Sequence, residues 1–153
     1  ARRDLRAGEG PAGLAVSTLP RRLLAEGLGT TLLLATVVGS GVMGVALGDG
    51  NDAVALLANA GATAGMLYVL ITVLGPVSGA QFNPAVSLAM ALRGEQSVRD
   101  AVLYAAVHVV AAIVGVLLAH AMFDLPWLQS GTQVRTGPSQ WLSEAVATFG
   151  LVL

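Results

Sequence analysis

Cysteine and lysine are both missing from this chain of 153 residues, and charge is scarce, with Asp, Glu, Lys and Arg together making 11%. The first absence excludes disulfides and thiolate metal sites and leaves the redox compartment unreadable. The second means that all eight basic residues are Arg. A soluble domain carries about 25% charged residues. This chain instead has 55% hydrophobic residues and a mean hydropathy of +0.75, the composition of a membrane protein. Its net charge of −1 argues against nucleic acid as a partner. No His, Asp and Glu cluster has metal-ligand spacing and no nucleophile stands beside a base, so the sequence points to no metal, no cofactor and no enzyme. Glycine, by contrast, is plentiful at 19 residues, and in membrane helices small residues let backbones approach.

The apolar residues fall into runs. Leu23 to Leu47, 25 residues, makes a helix of about 37 Å, enough to cross a ~30 Å hydrocarbon core with some tilt. "GDGND" (48–52) reads as a turn. A second run extends from Ala53 to about Leu74 and ends at Gly75-Pro76; a third covers about Val98 to Met122. Phe123 to Gln140, with Pro126 and Pro138, is a longer loop. A fourth run starts near Trp141 and stops at Leu153; its 13 residues give about 20 Å of helix, too short to span, so the chain reads as a fragment of something longer. The first 20 residues lack the apolar core of a cleavable signal peptide. Residues 1–18 read as a mobile cytoplasmic tail.

Arginine placement sets orientation. Arg2, Arg3, Arg6, Arg21 and Arg22 precede the first span, none lies in the 48–52 turn, Arg93 and Arg99 follow residues 78–92, and only Arg135 lies in the long loop. Positive residues collect on the cytoplasmic side, so the N-terminus is expected inside and the 48–52 turn outside. Gly75 and Arg93 are then both cytoplasmic, and "SGAQFNPAVSLAMAL" (78–92) must dip in and return. Asn83 is a favoured N-cap and Pro84 suits the first helical position. Pro84 to Leu92 makes about 13.5 Å of helix, close to half the core thickness. The N-terminus of this half-helix, with its unpaired N–H groups and partial positive charge, is therefore expected near the midplane. Irregular backbone survives there only where it is buried in protein or lines a water-filled cavity.

The chain also resembles itself. "AEGLGTTLLL" (25–34) matches "SEAVATFGLV" (143–152), pairing Glu26 with Glu144 and Thr30 with Thr148. If one unit enters from inside and the other from outside, they are inverted repeats, a layout that places the site at the midplane. Residues 19–139 then form the first repeat with its long outer loop, and residues 140–153 open a truncated second. Two functions compete: a passive channel, and a proton-coupled small-solute carrier of inverted-repeat type using Glu26 or Glu144. Both carboxyls lie toward one end of their spans rather than beside Asn83, which favours the channel.

"SGAQFNPAV" resembles the first signature loop of the aquaporin and aquaglyceroporin (major intrinsic protein) family, and "AEGLGTTLLL" resembles its first helix. The family signature Ser-Gly-x-x-x-Asn-Pro-Ala-Val is matched at Ser78, Gly79, Asn83, Pro84, Ala85 and Val86. Tyr104 and the small residues of the third span fit as well. The resemblance implies an all-α, right-handed helical bundle with inverted repeats and a re-entrant half-helix, of which this chain holds three spans, one half-helix and the start of a fourth span. It implies that Asn83 donates its amide to passing water or hydroxylated solutes. The carbonyls of Gly79, Ala80, Gln81 and Phe82 would form an acceptor ladder leading to it. Pro84 and Ala85, with Val86 and Ser78, would pack the signature loop against its counterpart, and Glu26 and Glu144 would hold the loops by hydrogen bonds. A homotetramer in a bacterial inner membrane, passing water and small neutral solutes, is also implied.

Two positions depart from the family pattern. Position 81 is Gln where many relatives have His, and an amide does not titrate between pH 5 and 8, so no pH gate is expected at this position. Thr63, 20 residues before Asn83, takes the second-span place that lines the outer constriction. Relatives selective for water have Phe-like bulk there and many glycerol channels have Trp, so a wide filter is expected. Glycerol-like polyols, urea-like molecules or neutral metalloid hydroxides would then pass. The competing reading is that Thr63 packs within "GATAG", where Gly61 and Gly65 have helix-contact spacing. His108, four residues after Tyr104, reads as a hydrogen-bonded packing residue, His120 as interfacial, and Trp127 and Trp141 as interfacial anchors.

Overall fold

The computed structural model describes residues 17–129 and 136–152. Most of the tail read at 1–18, and Arg135, lie outside the described residues. Five helices follow one another: α1 (Leu19–Leu47), α2 (Asp52–Ser78), α3 (Pro84–Leu92), α4 (Val98–Met122) and α5 (Pro138–Val152), with no strand among the described residues. Three of them, α1, α2 and α4, are long and apolar enough to cross a membrane. The expected all-α membrane architecture is the one found.

Local chemistry sets the helix starts. Pro20 lies in the first turn of α1, where a missing N–H costs nothing. The Asn51 side chain caps α2 by accepting from Ala53 N and Val54 N at 3.1 and 3.2 Å. Ser97 Oγ caps α4 by accepting from Asp100 N at 3.0 Å.

The end of α2 differs from the expected stop at Gly75-Pro76. The helix runs through Pro76 to Ser78. A proline in the last turn deletes one backbone bond without ending the helix. Termination comes from Gly79, whose φ of 93° is left-handed and whose N–H donates to Gly75 O. That conformation suits glycine, which has no Cβ to clash.

Helix α1 is the hub. It packs against α2 and α4, α3 packs against α4, and α5 touches only α3 among the described elements. Glycine permits the close contacts: a Cβ on Gly44 would lie 3.0 Å from Ala55 O, and one on Gly115 would lie 2.5 Å from Thr31 O. Interhelical hydrogen bonds add to them. Asn59 Nδ2 donates to Val37 O at 2.7 Å and to Ser40 Oγ at 2.9 Å, and Thr31 Oγ1 donates to Ala111 O at 3.2 Å.

The start of α1, the end of α2 and the start of α4 share one end of the bundle. The Ser17 hydroxyl donates to the Val77 carbonyl, and Arg22 pairs with Asp100 at 2.8 Å. The chain leaves this end after Ser78 and comes back to it at Ser97, with α3 in between. His108, ten residues after Val98 and so about 15 Å into α4, meets the loop before α3 through Glu26. Residues 78–92 therefore enter the bundle to the level of Glu26 and His108 and return.

Candidate functional site

The loop between α2 and α3 takes a path that ordinary residues avoid. Gly79, Ala80 and Phe82 have φ of 93°, 49° and 48°, and left-handed backbone at non-glycine residues persists only where the surroundings enforce it. Glu26 does much of the enforcing. This carboxyl is fully buried. Its Oε1 accepts from Gln81 N at 3.1 Å, and its Oε2 accepts from Phe82 N at 2.8 Å. A third partner, His108 Nε2, lies 2.8 Å from Oε2. Behind it, the Tyr104 ring meets the His108 ring edge-on, and Tyr104 Oη donates to Ser78 O at 3.0 Å. Ser78 Oγ accepts from Ala80 N at 3.2 Å.

These bonds dictate where the carbonyls point. In a planar trans peptide the C=O of one residue is antiparallel to the N–H of the next. With the Gln81 and Phe82 N–H groups aimed at Glu26, the carbonyls of Ala80 and Gln81 are turned to the opposite side. At the loop's inner end Asn83 Oδ1 accepts from Ala85 N at 2.8 Å. That cap fixes the amide: oxygen toward the helix, Nδ2 away from it. Among the described residues Nδ2 donates to none, and the side chain is half-exposed.

The flanking residues divide by burial. Val86 and Ser87 face inward on α3, while Pro84 and Ala85 are exposed. Phe82 buries its ring on α1 against Gly29, where a Cβ would lie 2.0 Å from Phe82 Cε1. Thr63 is half-buried on α2, and its Oγ1 is shielded without a hydrogen-bond partner among the described residues. A Cβ on Gly61 or Gly65 would meet nothing within 4 Å, so the helix contact that could explain "GATAG" as packing is not made among the described residues. Glu144 is exposed on α5, and no loop N–H among the described residues donates to it.

A profile of the family described as "Major intrinsic protein" matches residues 14–153. The chain belongs to the major intrinsic protein family. Over 134 residues it is 59% identical to aquaglyceroporin AqpS of Rhizobium meliloti (strain 1021), covering 88% of this chain and 57% of that protein. It is 38% identical over 152 residues to aquaporin PIP2-4 of Oryza sativa subsp. japonica, covering 88% of this chain and 52% of that one. Aquaporin PIP2-7 of Musa acuminata is 38% identical over 142 residues, with 86% and 50% covered. The chain spans about half the length of these curated relatives.

Three contributors to this site carried no signal in the family motif. His108 was read as hydrogen-bonded packing, and its partner proves to be Glu26, 82 residues away. Ser87, one helical turn after Asn83, donates to Gln81 Oε1 at 2.5 Å. Gln96, in the turn before α4, accepts from Gln81 Nε2 at 2.8 Å. His120, read as interfacial, lies near the end of α4 with Nδ1 3.1 Å from Trp127 O.

Proposed function

We propose that the full-length protein is a passive membrane channel for water and small neutral solutes of glycerol size. Residues 19–139 form its first repeat and residues 140–153 open an inverted second one. The reading is carried by the buried Glu26 anchor, which holds two loop N–H groups and so turns the Ala80 and Gln81 carbonyls outward. With those of Gly79 and Phe82 they form an acceptor row leading to the Asn83 Nδ2 donor. The α3 N-terminus adds a partial positive charge. A second half-helix from the other repeat meets it at Pro84 and Ala85, and the resulting positive centre repels cations and hydronium while neutral solutes exchange hydrogen bonds along the row. Glu144 serves the second loop as Glu26 serves the first. The protein resides in a bacterial inner membrane as a homotetramer, N-terminus in the cytoplasm.

The coupled carrier is disfavoured by the same anchor. A proton-coupling carboxyl must change protonation along the path, whereas both oxygens of Glu26 are occupied by loop N–H groups and His108.

Thr63 sets the outer constriction, and its small side chain admits polyols. The name of the Rhizobium relative, an aquaglyceroporin, supports this. Swelling of proteoliposomes holding full-length protein tests it. Thr63→Phe, the bulk that water-selective relatives carry there, is expected to lower the ratio of glycerol to water permeability by about tenfold, since adding bulk to a filter acts through sterics worth about 1–2 kcal/mol. An unchanged ratio rejects Thr63 as a filter residue.

A further inference from the structure

Both ends of the Gln81 side chain are held. Ser87 Oγ, fully buried on α3, donates to Gln81 Oε1 at 2.5 Å, and Gln81 Nε2 donates to Gln96 Oε1 at 2.8 Å. The backbone N–H of the same residue is already bound to Glu26. Local structure fixes the two posts. Ser87 stands one helical turn after the N-cap Asn83. Gln96 stands between two caps. Before it, α3 closes on Gly94 at φ 76°, with Glu95 N donating to Met90 O at 3.0 Å. After it, Ser97 caps α4. A Gln81 amide that turns away therefore leaves both partners behind.

This amide stands at the start of the acceptor row. Gln81 Nε2 lies 3.9 Å from the place that a Cβ on Gly79 would take. A polar cavity of about 370 Å³ opens here at the shared end of the bundle, with Gly79, Gln81 and Gln96 on its wall. The Gly79 and Ala80 carbonyls accept no backbone hydrogen bond among the described residues. Cut loose from Gln96, the Gln81 NH2 would be a donor without a partner, which is costly, with space to turn and free carbonyls beside it. An amide bound to those carbonyls takes the acceptors that a solute needs, and its bulk stands in the mouth of the path.

We propose that Gln96 is a positioning residue for the inner mouth: acting through Gln81, it keeps an amide donor off the first acceptors of the row. The role at the mouth rests on the channel reading; the latch between the two glutamines does not. The test is a double-substitution cycle in full-length protein, with glycerol permeability of proteoliposomes as the readout. Gln96→Leu deletes the acceptor and keeps most of the volume. Loss of one hydrogen bond makes the turned Gln81 about fivefold more populated, and glycerol permeability is expected to fall by about that factor. In the Gln81→Ala background no amide is left to turn, and Gln96→Leu is expected to change permeability by less than about twofold.

An equal fall in both backgrounds means that Gln96 only supports the turn, and it overturns the positioning role. So does a Gln96→Leu variant that conducts as the parent does. The latch is read without flux by labelling the glutamine side chains with 15N. The Gln81 Nε2 resonance, assigned through Gln81→Ala, is expected to move in Gln96→Leu while that of Gln140, on α5, stays still. Water passage by the unsubstituted protein without that movement defeats the latch alone. Movement without water passage defeats the channel reading, and the role at the mouth with it.

Discussion

Glu26→Leu in the full-length protein abolishes water and glycerol permeation. The substitution keeps the volume and deletes both oxygens, so the N–H groups of Gln81 and Phe82 and the Nε2 of His108 lose their acceptor together. Each buried donor left unpaired costs roughly 1–3 kcal/mol, and the fully buried position of Glu26 gives water no direct access to replace the carboxylate. The sum, on the order of 3–9 kcal/mol, compares with the whole stability of a typical domain. Ala80 and Phe82 hold left-handed backbone, and without the anchor that strain is released by collapse of the loop across the path. Glu26→Gln is the graded test. It keeps the shape but sets an amide NH2 against at least one loop N–H or His108, and permeability should fall at least about tenfold. Stopped-flow light scattering on proteoliposomes checks both. Conduction by Glu26→Leu at the parent rate means that Glu26 does not hold the loop, and a flux that follows an imposed proton gradient in the parent and not in Glu26→Gln restores the carrier.

The parts of this architecture that depend on neighbouring residues were legible in the sequence. Asn83-Pro84 announced the start of α3 because capping is settled within three residues, and α4 was legible as the apolar run from about Val98 to Met122. The end of α2 was misplaced by three residues because Pro76 looks like a stop anywhere but in a last turn. The terminating signal was the left-handed Gly79. Glu26 as a loop holder could be reached through family resemblance, yet its pairing with His108 could not. That contact depends on the rotation of α1 against α4, which is fixed by Gly115 and Thr31 on faces that share no local pattern with it. Gln96 was hidden for another reason: it sits in a turn, and only the folded loop brings Gln81 beside it.

Gly29→Ala and Gly115→Ala should be the most damaging of the single-methyl substitutions, for different reasons. At Gly115 the new Cβ would lie 2.5 Å from Thr31 O and 2.8 Å from Leu34 Cβ. The nearest atom is backbone and no rotamer relieves it, so α1 and α4 must separate, stretching the Glu26–His108 contact that spans them. Overpacking of this kind costs about 1–3 kcal/mol, which for a protein of this size class lowers the thermal midpoint by roughly 2–12 °C. At Gly29 the added methyl would lie 2.0 Å from Phe82 Cε1 and 2.6 Å from Cζ. The Phe82 ring is buried, and its own N–H is bound to Glu26 one turn earlier on the same helix. It can move away only by pulling the loop off its anchor. Gly29→Ala is therefore expected to lose permeability out of proportion to its loss of stability, whereas Gly115→Ala loses both in step. Measuring midpoint and water flux on each variant decides between them. Equal flux per folded protein in Gly29→Ala and the parent would mean that the loop is not wedged between Glu26 and Gly29, and that something other than α1 sets its path.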